Sequence, residues 1–182
     1  MDPIYQEKLM RSQAEAVQVV VREVADLAEA CQYAADLTKK QGGGVVAAPG
    51  WPKKTIPSLK KIFTGAGLEF VTENVRSRAG DLYTGFTRAD YGIAETGSLV
   101  LESSSEDLRL STMLSEVHVA VLARSKILPD TMALEATLTE RFRKPPCYMA
   151  FITGASRTAD IERVLTIGVH GPQELHLLLL EE

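Results

Sequence analysis

Cysteine is scarce in this chain of 182 residues: only Cys31 and Cys147 occur, and neither lies in a CxxC or CxxxC spacing. A thiolate zinc site or an iron–sulfur cluster held by this chain alone is therefore not expected. No disulfide framework can form, which suits a reducing, cytoplasmic setting. Basic excess is missing too. Twenty Lys and Arg face 24 Asp and Glu, for a net charge of −4. General nucleic-acid binding needs a basic surface, so no nucleic-acid partner is expected. The longest apolar run, Leu177–Leu180, falls far short of the roughly 20 residues that span a bilayer. Met1-Asp2-Pro3-Ile4 lacks the basic-then-apolar order of a signal peptide. There is no Walker A motif, no HExxH and no GxSxG, and Phe70 stands where the third glycine of a dinucleotide fingerprint would follow Gly65-Ala66-Gly67. No cofactor site, whether flavin, nicotinamide or metal, is expected from this chain alone.

What is present is the material of one ordinary domain, 45% hydrophobic and 24% charged, long enough to build its own core. Val17, Val20, Val21, Val24, Leu27, Ala28, Cys31 and Ala34 recur at three- and four-residue steps, which predicts one long helix over 5–40. It forms an amino-terminal segment, 1–41, packed on an α/β domain, 42–182. The same spacing would serve a short coiled-coil seam, and hence a homo-oligomer through that helix. Gln41-Gly42-Gly43-Gly44 stops it.

Beyond it, the pattern predicts strands at 45–49, 68–72, 117–123, 147–153 and 175–180. Helices are predicted at 57–64, 131–143 and 159–165, with a helical turn at 108–114. Residues 73–90 read as a polar loop. Tyr91–Glu102 holds two strand-like runs broken at Thr96-Gly97, an antiparallel pair. Buried strands alternating with helices predict an α/β fold, a three-layer α/β/α domain with a mainly parallel central sheet.

Five places carry candidate chemistry. In Phe151–Glu162, the pattern places a buried strand, a small-residue turn and a helix start near Thr158. Ligands of open α/β sheets collect beyond the carboxyl ends of strands, and a helix amino end attracts anions. Ser156 and Thr158 would then offer hydroxyl donors to a small carboxylate or phosphate, with Arg157 forking onto it. Equally, Ser156 or Thr158 merely caps the helix, with Asp160 and Glu162 in its first turn. Glu95, between two apolar runs in Ala94-Glu95-Thr96-Gly97, is either a desolvated carboxylate fit for acid–base or nucleophilic work or an exposed hairpin-turn residue beside a positive-φ glycine. His118, inside a buried-looking strand, is a proton handler or a satisfied core histidine. Arg109 is a ligand clamp or a surface ion-pair residue. His170, between Gly168 and Gly171-Pro172, lies in a functional loop or a plain turn; His176 reads as structural. Lys53, Lys54, Lys60 and Lys61 form a basic run that reads as a solvated helix face.

The stretches ETGSLVLES, LRLSTMLSEVHVAVL, FITGASRTADIE and GVHGPQELHLLLL, in this order, resemble the LUD domain of the lactate-utilisation protein C family from about Val45 onward. The SRTADIE and GVHGP blocks carry most of that specificity. The resemblance implies a fold similar to glucosamine-6-phosphate deaminase, ribose-5-phosphate isomerase and coenzyme A transferases. It also implies a place in a bacterial system that oxidises L-lactate to pyruvate, with iron–sulfur partner subunits carrying the electrons. The family pattern falls on Glu95, Thr96, Gly97, Arg109, His118, Gly154, Ser156, Arg157, Thr158, Asp160, Glu162, His170, Gly171 and Pro172. The family usually has proline where Ala155 and Ser115 stand. On this footing Arg157 would hold a carboxylate, His118 or His170 would handle the hydroxyl proton, and Glu95 would orient or activate. Thr96, Arg109 and Gly171 would complete the site. Two alternatives stand beside it. One is a free-standing enzyme of the coenzyme A transferase or sugar-phosphate isomerase type, with Glu95 as nucleophile or base. The other is a non-catalytic assembly subunit that uses the 5–40 helix as its contact surface.

Overall fold

A computed structural model describes residues 2–143, 147–158 and 166–181. In chain order its elements are α1 (Pro3–Ala16), β1 (Val20–Val24), α2 (Leu27–Lys40), β2 (Val45–Ala47), α3 (Ile56–Gly65), β3 (Glu69–Val71), β4 (Thr84–Arg88), β5 (Tyr91–Ile93) and β6 (Ser98–Glu102). They continue with α4 (Glu106–Met113), β7 (Val117–Ala123), β8 (Ile127–Leu128), α5 (Glu135–Phe142), β9 (Met149–Ile152), β10 (Arg157–Thr158), β11 (Thr166–Ile167) and β12 (Glu174–Leu180).

Six strands form the central sheet in the order β1-β12-β7-β4-β2-β3, and every pairing in it is parallel. The strands expected at 117–123 and near the carboxyl end sit in its middle, apolar on both faces as a doubly covered parallel sheet requires. Val117, Val119, Val121 and Leu178 face α2 and α3, packing with Ala30, Cys31, Ala34, Phe63 and Phe86. Ala120, Leu122, Leu175, Leu177 and Leu179 face the other way, toward Met10 and Ala14 of α1 and Leu99 and Leu101 of β6. A second sheet, ordered β8-β5-β6-β9, closes that second face together with α1 and α4. Its β5–β6 pair is antiparallel, with Tyr91 opposite Val100, as the break at Thr96-Gly97 predicts. Gly97 turns the corner at φ +64° and lies against the backbone of α1 at Gln13 and Ala14.

The expected single helix over 5–40 is two helices with a strand between them. Val17 and Val19–Val21 are β-branched and stiff at χ1, which disfavours helix. The chain reverses after Ala16, with Gln18 at φ 65°, and β1 becomes an edge of the central sheet with Val21 opposite Leu177. Asp26 then starts α2, its carboxylate accepting from the Glu29 amide at 2.8 Å while the Glu29 carboxylate accepts from the Ala25 amide at 2.7 Å, a reciprocal cap.

The polar stretch 73–90 is also more than a loop, because β4 lies in it, between β7 and β2. Each residue that hides this strand has a partner. Thr84 shares a 2.7 Å hydrogen bond with Thr38 of α2, and Thr87 a 2.8 Å one with His118. Gly85 admits α4 so closely that a Cβ there would sit 2.1 Å from the Ser111 carbonyl oxygen.

Two further expectations change. The segment 147–153 is not a buried core strand: β9 pairs antiparallel with β6 at the edge of the second sheet, and Phe151 is exposed. Arg157 and Thr158 are not a helix amino end but a strand, β10, paired with β11. The helix expected at 159–165, with Asp160 and Glu162, lies outside the described residues. Both cysteines are free. Among the described residues no helix is long and apolar enough to cross a membrane.

Candidate functional site

The second face of the central sheet is not filled to its end. A cavity of about 270 Å³ opens where β7 and β12 begin, lined by Ser103, Arg109, Thr112, Met113, His118, Ala150, Ile152, Gly154, Ala155, Ser156, His170, Gly171, Pro172 and Leu175. His118 and Leu175 are the second residues of their strands, and face one another across the β7–β12 pairing. The last turn of α4 supplies Arg109, Thr112 and Met113, which share a helix face at i, i+3 and i+4 spacing. The end of β9 and the turn after it supply Ile152 and Gly154–Ser156, and the 170–172 loop closes the rim.

The cavity thus lies at the amino ends of the parallel strands, not beyond their carboxyl ends as expected. The reason is the placement of β9. Because that strand belongs to the second sheet, the turn that follows it meets the entry side of β7 and β12.

His118 is buried, with 1% of its surface exposed. Its Nε2 and the Thr87 hydroxyl are 2.8 Å apart, and burial pushes its pKa down to about 4, so the ring is neutral at pH 7. Arg109 is aimed by its own Nη1, which donates to the Ser103 carbonyl at 2.5 Å and the Ser104 carbonyl at 2.9 Å. Its guanidinium carbon lies 5.3 Å from the centre of the Tyr148 ring, a stacking geometry suited to arginine. Three further N–H donors belong to Nε and Nη2. Ser156 is tied at its backbone to both flanks of the loop: its amide donates to the Pro172 carbonyl at 2.9 Å, and its carbonyl accepts from the Gly168 amide at 2.9 Å. That pairing holds His170 and Gly171 over the cavity. Ser115 is buried and donates its hydroxyl to the Ser111 carbonyl at 2.8 Å. This bond fastens the α4–β7 corner that leads into His118.

Of the residues singled out from sequence, the structure therefore gathers Arg109, His118, Gly154, Ser156, His170 and Gly171 around one space. It does not bring Glu95, Thr96, Arg157 or Thr158 to that lining. Glu95 is exposed in the β5–β6 turn, where its amide donates to the Pro129 carbonyl at 3.0 Å. The buried setting expected for its carboxylate is not there, because the turn projects past the strands that flank it. The Thr96 hydroxyl donates to Ser98 Oγ at 2.8 Å, and Ser98 in turn meets Thr153 Oγ1 at 2.5 Å. Thr96 thus ties the hairpin to the end of β9. Arg157 is exposed and gives its guanidinium to the Val17 carbonyl, locking the 154–157 turn against the α1–β1 corner. Asp160 lies outside the described residues.

Sequence reasoning passed over Thr112, Met113, Ser103 and Ile152. The helical spacing from Arg109 would have found the first two. Among the described residues no three His, Cys, Asp or Glu side chains gather in a metal-binding group.

The LUD domain model matches residues 7–180. The chain is 37% identical over 120 residues to a protein of Escherichia coli strain K12 named "Uncharacterized protein YkgG", covering 64% of this chain and 49% of that protein. It is 29% identical over 164 residues to lactate utilization protein C of Geobacillus sp. strain WCH70, covering 81% of this chain and 66% of that one. It thus spans about half to two thirds of the length of these curated relatives. In structure it is similar to a DUF162 family protein from Deinococcus radiodurans, with a TM-score of 0.65 at 14% identity over 99% of both chains, a likeness of fold.

Proposed function

The chain belongs to the LUD domain family, and from that premise we propose that it binds a small carboxylate, of the size of a hydroxy- or keto-acid, in the cavity at the amino ends of β7 and β12. The setting we propose is L-lactate utilisation, the role named for its relatives. One observation carries the reading: Arg109, His118, Ser156 and the His170 loop, from four separate parts of the chain, converge on a single space of about 270 Å³. That volume sits just below the usual range of small-molecule pockets, roughly 300–1,000 Å³, and so favours a small ligand.

Arg109 supplies the charge. An arginine already oriented by two backbone carbonyls presents its remaining N–H groups to a carboxylate with little further ordering cost. His118, kept neutral by burial, offers an uncharged partner to a hydroxyl or keto oxygen, with Thr87 fixing the ring. Ser156 and the 170–172 loop complete the polar rim, and Ile152, Met113 and Leu175 give a methyl group apolar contact. This is binding chemistry. Electrons released in any oxidation of L-lactate would pass to iron–sulfur partner subunits. Glu95, exposed and outside the cavity, gives no support to thioester or sugar-phosphate chemistry at that residue.

Isothermal titration of the chain with pyruvate and with L-lactate tests this. We expect saturable binding of at least one, weakened tenfold or more in Arg109→Gln, about 1.4 kcal/mol. No heat with either acid at millimolar concentration, or equal affinity in the variant, would overturn the reading.

A further inference from the structure

A second and larger cavity, about 690 Å³, lies at the opposite edge of the central sheet. Its walls include Arg88 at the end of β4, Ala123 at the end of β7, Leu180 at the end of β12, and Trp51 and Thr55 between β2 and α3. β2 and β4 are neighbours and parallel, but their chains part at this edge. After β2 the chain passes to α3, whose Leu59 and Phe63 pack on the first face. After β4 it passes to the second sheet, which packs on the other face through Ala94 and Leu99. Neighbouring parallel strands whose connections leave to opposite faces open a crevice between their carboxyl ends, and ligands of α/β sheets bind in such crevices.

The charge of this crevice is opposite to that of the chain. Lys54, Arg88, Lys126 and Arg141 line it against one carboxylate, Asp90, whose Oδ2 is already engaged by the Glu102 amide at 2.7 Å. Among the described residues none of the four cations has a carboxylate within ion-pair distance. Four like charges around one concavity repel one another and concentrate anions there. Beside them lie apolar and aromatic walls: Trp51, held by its indole N–H on the Phe86 carbonyl at 3.0 Å, with Tyr91, Leu27 and Val121. Four cations exceed what one carboxylate needs, and the apolar walls exceed what an inorganic ion needs.

We propose that this carboxyl-edge crevice is a second ligand site, for a phosphate ester of an organic molecule. Arg88, Lys126, Lys54 and Arg141 take the phosphate oxygens, and the Trp51–Tyr91 wall takes the organic body. The site is separate from the carboxylate cavity and does not depend on it.

Trp51 is the only tryptophan of the chain, so its emission reports on the wall of this crevice and the core directly behind it. Titrate the full chain with inorganic pyrophosphate and with ADP at low and at moderate salt, in the natural protein and in the double variant Arg88→Gln, Lys126→Gln. Both side chains are exposed, and their replacement leaves the fold intact. The expected result is a saturable change in Trp51 emission with both probes, tighter for ADP and weaker at higher salt. The double variant should then bind at least tenfold more weakly. No saturable change with either probe, or affinities that the double variant leaves unaltered, would overturn the proposal. Neither readout passes through Arg109 or His118, so this site and the carboxylate cavity stand or fall separately.

Discussion

Each face of the central sheet buries a histidine near the amino ends of its strands, and the two are held in different ways. On the α2 face, His176 is bound at both ring nitrogens. Nδ1 lies 2.8 Å from the Tyr33 hydroxyl, and Nε2 lies 2.8 Å from Glu174 Oε2, which Gln41 also holds at 3.1 Å. On the opposite face His118 has Thr87 at 2.8 Å on Nε2 and borders the cavity. Burial lowers the pKa of both, and at His176 Glu174 pulls back against it. Depth in the core therefore does not distinguish a histidine that borders a cavity from one that is fully enclosed. The difference is whether the ring has a side left to offer.

The largest effect that would break this comparison comes from shifting the helix that roofs the His118 side. Gly85→Ala places a Cβ against the Ser111 carbonyl and should force α4 off β4. A loss of about 3 kcal/mol in urea unfolding is expected, the upper end for overpacking because the clash is with backbone, together with loss of carboxylate binding. A loss below about 1 kcal/mol would mean that α4 sits loosely.

Acid is the next lever. The folded-state pKa of His118 is lowered to about 4 from 6.5, so between these pH values the unfolded chain binds more protons than the folded one. Stability then rises with pH through that window and is lost as pH falls through it, approaching about 3 kcal/mol by pH 4. His118→Gln should flatten most of that slope, measured as urea midpoints from pH 7 to pH 4.5. An unchanged slope would show that His118 is not the group that resists charging.

On the other face, Tyr33→Phe removes one bond from His176 and should cost about 1 kcal/mol, with pyruvate affinity untouched. A change in that affinity would couple the two faces. The smallest effect is expected at Glu95. Glu95→Gln should leave stability within about 0.5 kcal/mol and binding unchanged, and any marked loss of binding would return Glu95 to the site.

The comparison also shows where the sequence could be read and where it could not. Strand β7 was legible because seven apolar or half-apolar residues in a row have no other use, and β5–β6 because Thr96-Gly97 punctuates them. Strand β4 was not, since Thr84, Gly85 and Thr87 are there for α2, α4 and His118, partners distant in sequence. The valines of 17–24 satisfied a helical period and a strand equally, and β-branching with a positive-φ Gln18 decided for the strand. In the site, Arg109, His118, Ser156 and the His170 loop could be named from their residue types and motif. Their grouping could not, nor could the separation from Glu95 and Arg157, because that hinges on β9 joining the second sheet.

The most direct measurement is the imidazole nitrogen spectrum of the uniformly labelled chain during titration with pyruvate, since the sequence has only three histidines. The His118 and His170 resonances should move together and saturate, while those of His176 stay in place. If all three stay fixed through millimolar pyruvate, or if His176 moves as far as His118, the cavity is not where the carboxylate binds.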